Sequence, residues 1–522
     1  MKRIVVVTLL LLCGQDAVEA QYFGRNKVTW EDYDFEVLRT EHFAIHHYPE
    51  AAEAADAAGR MAERWYGRLS RVLDHEFDER KPIVLYADDT DFQQTHVISG
   101  HIGQGVGGVT ESFKNRIAMP LTSSLAETDH VLGHEMVHVF QYDILERTRG
   151  GPRAGRNVPL WFIEGMAEYL SLGPADAHTA LWLRDAVLGD ELPEDFAALA
   201  ADPRYFPYRF GHGLWAYVGA RWGDAAVPEL FGATTRIGIE DAVRDVLGLE
   251  PDALVEAWND ALRTAYGDVD ATRALEPHGA EEVVARIPEE REMNLAPVPS
   301  PDGSKVAFFS ERDVFSIELF LADARTGEIL TKLTEARSNP HLRALRFVDS
   351  AGTWSPDGAR FAYVVYHEGS NELAILDVAS REVQRRIAIE GIDALMGPSW
   401  SPDGRHLVVS GVTGHASDLF LVDVENGATR RLTDDRHAAL QPSWSPDGRR
   451  IVFVTDRGGG TNLDDLVFGT PGIGVLDVDE PSSVRVWRPF GPAAHTDPHF
   501  TPDGNHVVFR AIVDGFQDLH RL

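Results

Sequence analysis

Cysteine is nearly absent. The 522 residues contain one, Cys13, which excludes a disulfide framework. Long apolar runs are also missing. None is long enough to cross a membrane, and the one near the N-terminus, Ile4 to Leu12, is far too short for it. Basic residues are scarce as well: 49 Lys and Arg stand against 82 Asp and Glu, a formal charge of −33. A surface so acidic argues against nucleic acid and anionic membranes as partners. It suits a soluble exported protein.

Met1-Lys2-Arg3 is a short basic start, Ile4 to Leu12 is apolar apart from Thr8, and Val18-Glu19-Ala20 offers small residues at a cleavage position. This pattern, residues 1–20, reads as a secretory signal peptide. Cys13 raises a lipoprotein reading, but Leu12 stands where a lipobox prefers Gly or Ala. The expected location is therefore periplasmic or secreted. Cleavage after Ala20 leaves a chain without cysteine, which must rely on a large apolar core or a bound metal. With 44% hydrophobic residues the chain can fill two or three domains.

Residues 33–270 read as a mixed α and β domain. Phe43 to Tyr48 and Ile83 to Tyr86 are short strands, and Ala51 to Leu73 carries apolar residues at helical spacing. Arg116 to Leu121 is another strand. Pro120 would be awkward in a sheet centre, so an edge is expected, either a plain structural edge or one that pairs with an extended peptide. Ser123 and Ser124 are N-cap candidates, Glu127 completes a capping box with Ser124, and the helix runs towards Leu145 until Gly150-Gly151-Pro152. On this helix lies His134-Glu135-Met136-Val137-His138. Histidines four residues apart share one helical face, so their ring nitrogens can meet one tetrahedral zinc. Glu135 on the flank can serve as general base towards water. His130, one turn earlier, is read as a supporting or surface residue, because a catalytic ion keeps an open position.

A second stretch, Pro159 to Tyr169, places Glu164 and Glu168 one turn apart on an otherwise apolar helix. Buried carboxylates are costly unless a metal or partner holds them. Glu164 lies 26 positions after His138, enough for a return helix to bring it in as third ligand. Glu168 would then hydrogen-bond a ligand imidazole from behind. H-E-x-x-H followed by W-x-x-E-G-x-A-E-Y resembles the gluzincin metallopeptidases, above all the peptidase MA-like group; aminopeptidases with N-E-G-F-A are more distant. The segments Val37 to Phe43, Asp91 to Gln94 and Asn115 to Ile117 look like this group too. The resemblance implies a zincin-like fold, one Zn2+ held by His134, His138 and Glu164, Glu135 as catalytic base, and an orienting acid at Glu168. It also implies a Tyr or His that stabilises the oxyanion. Tyr205, Tyr208 and His212 are available ahead of the helical run Leu214 to Trp222, and Tyr208 is favoured. No G-x-M-E-N-type element is visible, so an endopeptidase is expected rather than an aminopeptidase. Two further helical patterns between Gly238 and Tyr266 close the domain.

After a linker at residues 271–290 a repeat takes over. Ser-Pro-Asp-Gly occurs at Ser300, Ser355, Ser401 and Ser445, with Thr501 opening a variant; the aspartates are 55, 46, 44 and 56 residues apart. Each copy makes a tight turn between strands. A period near 45 residues with about four strands means β-propeller blades. The repeats resemble TolB-like propellers of the PD40 type. Residues 291–522 would give about five blades, the last ending about two strands in, so a fragment or an unusual closure is expected. Glu281 to Ile287 could add an outer strand. Two functions remain: a secreted zinc metallopeptidase acting on peptide or protein, whose propeller gates or presents peptides, or a non-catalytic binding protein that uses the propeller to hold a protein partner. Intact ligands and base favour the first.

Overall fold

A computed structural model describes residues 29–522, apart from 99–101, 104, 148–157, 268–282, 285–292, 314–315, 335–343, 346–351, 393, 413, 415 and 514. The expected signal peptide, the expected helix stop Gly150-Gly151-Pro152, and most of the expected linker and of the outer strand expected near Glu281 lie outside the described residues.

The N-terminal region is a five-stranded sheet backed by helices. The strands are β1 (Glu36–Arg39), β2 (Phe43–His47), β3 (Lys81–Tyr86), β4 (Val109–Glu111) and β5 (Arg116–Pro120). Their order is β1-β2-β3-β5-β4. β2, β3 and β5 run parallel, and β4 is antiparallel to β5. The expectation that Arg116 to Leu121 forms the edge is therefore corrected: β4 pairs with it and takes the edge. Pro120 is tolerated because it closes the strand, where it aligns with Tyr86 at the end of the ladder.

Helix α1 (Ala52–Leu73) buries Met61, Trp65 and Leu69 against the sheet and against α2 (Leu125–Arg147). Of the expected capping box the N-cap half forms: Ser124 Oγ accepts from the Glu127 amide at 3.2 Å, while the Glu127 carboxylate accepts from Ser123 Oγ at 3.2 Å. Next come α3 (Leu160–Leu172), α4 (Ala177–Leu188), α5 (Pro207–Trp222), α6 (Ala226–Ile237) and α7 (Pro251–Tyr266). α5 starts seven residues earlier than the run Leu214 to Trp222 indicates, because Pro207 is seated in its first turn. Tyr208 and His212 thus lie on the helix rather than ahead of it.

The C-terminal part is a five-bladed β-propeller. Among the described residues three blades have four strands. The second has five, because two short segments, Ala344–Leu345 and Thr353–Trp354, both pair with Arg360–His367. The fifth has three, His495–Phe500, Val507–Val513 and Phe516–Arg521, one more than the sequence reading allowed. In each blade the Ser-Pro-Asp-Gly turn joins the first two strands. In the first, Asp302 Oδ1 accepts from Ser300 Oγ at 2.6 Å, and Ser300 Oγ accepts from the Lys305 amide at 3.0 Å. The five turn glycines have φ between +69° and +73°, the left-handed region that this turn needs. Apolar clusters fill the space between consecutive blades.

The loops joining the second and third strands of several blades reach the N-terminal region. Ser417 Oγ donates to Ser123 O at 2.9 Å, and Arg64 donates to Leu466 O at 2.6 Å. Leu463 and Leu466 join the N-terminal core. Arg184 on α4 donates to Gly515 O at 2.5 Å and stacks 4.2 Å over Phe516. The helix that carries the histidines thus begins against the third blade, and α1 meets the fourth.

One buried ion cluster ties α2 to the sheet. Asp143 meets Lys81 Nζ at 2.5 Å, His75 Nε2 at 2.7 Å and Arg147 at 2.8 Å. Burial alone would raise the Asp143 pKa, but the hydrogen bonds from His75 and Lys81 outweigh it and hold it down to about 2. A depressed carboxylate contributes stability that is full above its unfolded value and lost as pH falls towards the folded one. We expect Asp143→Asn to strand the Lys81 charge and cost about 3–5 kcal/mol. In urea titrations the variant should also lose less stability than the wild type between pH ~4 and ~2.

Candidate metal centre

α2 projects His134 and His138 from one face, and α3 returns antiparallel to bring Glu164 against them. The three donor atoms form a nearly equilateral triangle. His134 Nε2 and His138 Nε2 are 3.1 Å apart, and each is 3.2 Å from Glu164 Oε2. These three residues are the one group of potential metal ligands brought within 4.8 Å of one another among the described residues. All three are nearly sealed from solvent.

The other ring nitrogens are already committed. His134 Nδ1 lies 3.0 Å from Glu168 Oε1, a carboxylate that can only accept, so Nδ1 carries the proton. His138 Nδ1 lies 2.8 Å from Gln141 Oε1, and the Gln141 amide is oriented by its donation to Ile163 O at 3.1 Å. Both Nε2 atoms therefore direct lone pairs at each other and at a carboxylate. Such a point needs a positive charge. Without a metal the charge is a proton: burial disfavours the His134 imidazolium, yet Glu164 and Glu168 outweigh burial and raise its pKa to about 10. Burial pushes Glu164 the other way too, and its hydrogen bonds with the two histidines win, holding it well below the usual carboxylate range. For a tetrahedral ion bound at ~2.0–2.1 Å, neighbouring donors stand about 3.3 Å apart. The observed triangle fits that edge.

Around it the remaining sequence candidates separate. Glu135 is buried, and Thr110 of β4 donates to its Oε2 at 2.6 Å. Glu168 is braced from behind by Arg209 at 2.9 Å, and Arg209 also faces Asp176, the N-cap of α4, at 3.6 Å. The Tyr208 ring stacks on His134, centroids 5.7 Å apart and 17° from parallel. Burial and then Glu164 raise its hydroxyl pKa, so it stays protonated. Tyr205 instead packs edge-on against Phe210, centroids 5.1 Å apart. His212 uses both nitrogens, towards Thr179 Oγ1 and Gly173 O, each at 2.8 Å. Of the three sequence candidates, Tyr208 is the one beside the donor triangle. His130 comes no closer than 4.0 Å to Glu168 and contributes no donor to the triangle.

Thr110, Gln141 and Arg209 were not singled out from the sequence. A further missed feature is a glycine contact that sets the depth of the site. A Cβ at Gly165 on α3 would stand 2.2 Å from Gly211 C, and one at Gly211 on α5 would stand 2.0 Å from Trp161 O. The two backbones touch, and this lays Tyr208 and Arg209 over Glu164 and Glu168. The signal was a glycine inside each of two apolar helical patterns.

Residues 350–467 match the family model described as TolB beta propeller domain (PD40), and residues 109–194 match the one described as peptidase of plants and bacteria (BSP). Curated relatives include the Tol-Pal system protein TolB of Francisella tularensis subsp. mediasiatica, 30% identical over 161 residues, 30% of this chain and 34% of that protein. Another is the protein TolB homolog of Chlorobium luteolum, 28% identical over 176 residues, 34% of this chain and 35% of that protein. The chain spans about a third of the length of these relatives. Among solved structures, TolB from Acinetobacter baumannii aligns with a TM-score of 0.36 at 22% identity, covering 45% of this chain and 52% of that one.

Two outcomes follow from the site's construction. Gly211→Ala should force α3 and α5 apart, cost about 1–3 kcal/mol, and lower the metal retained after dialysis, read by thermal unfolding and elemental analysis. Because the metal-free His134 holds a proton up to about pH 10, uptake of a divalent ion near pH 7.5 should release about one proton. Calorimetry in buffers of differing ionisation enthalpy measures this.

Proposed function

We propose that the N-terminal region is a zinc-dependent metallopeptidase of the gluzincin kind, cleaving within peptide chains, and that residues 33–270 form its catalytic domain. The observation that carries this reading is the triangle of three donor atoms on His134, His138 and Glu164, with a carboxylate, Glu135, on the adjoining flank. The match to a peptidase family model over residues 109–194 supports it from outside.

A zinc ion held there would supply Lewis-acid polarisation of a carbonyl and acidify water towards a pKa of ~7. The rest falls to this chain's own residues. Glu135 accepts the proton of the attacking water and passes it to the leaving amine. On this reading the protonated Tyr208 hydroxyl donates to the developing oxyanion. Glu168 keeps His134 in the tautomer that leaves Nε2 free, and Arg209 holds Glu168. Among the described residues β4 is the sheet edge, and an extended substrate can pair with it.

A second reading rests on the propeller, the part with curated TolB relatives. Under it the protein holds a protein partner through its blades, and the N-terminal region has no turnover. On either reading we place the protein outside the cytoplasm. No described helix is long and apolar enough to cross a membrane.

Glu135→Gln separates the readings. We expect it to keep one zinc per chain and to lose hydrolysis of an unfolded protein by at least about 10²-fold, with the wild type inhibited by a chelator. A zinc-loaded Glu135→Gln that cleaves as fast as the wild type contradicts the peptidase assignment.

A further inference from the structure

We infer that Thr110 is a positioning residue for the base, fixing which carboxylate oxygen of Glu135 takes the proton. The inference rests on the peptidase reading above. Thr110 sits at the centre of β4, where its backbone pairs with Ile117, and its hydroxyl reaches across to α2. It donates to Glu135 Oε2 at 2.6 Å; the Glu135 carbonyl is a longer alternative at 3.1 Å. A hydroxyl has one proton, and the charged, nearer oxygen is the stronger acceptor.

The two oxygens of Glu135 are thereby made different. Oε2 is engaged by Thr110, whereas no donor among the described residues reaches Oε1. Oε1 lies instead beside the room that the absent side chain at Gly108 leaves: a Cβ there would stand 3.1 Å from it and 3.0 Å from Glu135 Cγ. A side chain at 108 would require the carboxylate to shift by a few tenths of an ångström. Thr110 therefore holds the base on one side while Gly108 leaves it room on the other, with Oε1 as the free acceptor. The same strand is the sheet edge available to a substrate, so a peptide paired there is registered against the element that aims the base.

The account demands a role for the hydroxyl, not for the bulk of the side chain. Thr110→Val keeps the shape and removes the donor; Thr110→Ser keeps the donor; Thr110→Ala serves as a second deletion should Val disturb the strand. Initial rates over a range of casein concentrations, zinc content and thermal unfolding are measured for these variants, the wild type and Glu135→Gln. We expect Thr110→Val and Thr110→Ala to lower kcat about 10–100-fold with KM within about two-fold and zinc at one per chain, and Thr110→Ser to stay within about three-fold of wild-type kcat. Wild-type kcat in Thr110→Val overturns the inference. So does a Thr110→Ser as impaired as Thr110→Val, since packing would then explain both. Equal casein hydrolysis by wild type and Glu135→Gln overturns the peptidase reading and this inference with it, whereas loss in Glu135→Gln alone overturns only the role of Thr110.

Discussion

Three lone pairs aimed at one point are the constraint around which the N-terminal region is arranged. Two imidazole nitrogens and a carboxylate oxygen, all within about 3.2 Å of one another, repel unless a positive charge lies between them. Every neighbouring device maintains that arrangement. Glu168 and Gln141 take the Nδ1 protons, Arg209 braces Glu168, and the glycine contact between α3 and α5 sets how closely the carboxylates approach. The aromatic core beneath backs α2, with Phe140 of α2 packed on Tyr66 of α1 and Trp65 of α1 lying against Gly133 of α2.

The propeller and the helical region are joined at the places that bound the site. Ser417 caps the loop before α2, Arg64 and Leu466 flank the same helix, and Arg184 pins α4 to the fifth blade. The N-cap of α4 is Asp176, which faces Arg209. Helix α4 therefore links the fifth blade, at Arg184, to the carboxylate behind His134, through Asp176 and Arg209.

Much of this was legible from spacing. His134 and His138 four residues apart, and two glutamates one turn apart in an apolar helix, identify the donor set because helical geometry fixes which side chains share a face. The Ser-Pro-Asp-Gly repeats identify the blades for a similar reason, since the turn chemistry is local. What stayed hidden depends on contacts between segments distant in sequence. β4 has three residues after a glycine-rich stretch, too few to read as a strand, and so β5 was taken as the edge. Thr110 is 25 residues from Glu135, and Arg209 is 41 from Glu168. Neither pairing leaves a periodic trace. Pro207 did mark the true start of α5, but the aromatic and glycine content that follows masked its helical period.

The central claim is that these three donors hold one zinc ion. Anomalous diffraction at the zinc absorption edge tests it most directly. The account expects a single peak ~2.0–2.1 Å from His134 Nε2, His138 Nε2 and the Glu164 carboxylate. No peak in crystals grown with zinc, or a peak only at other residues, contradicts it.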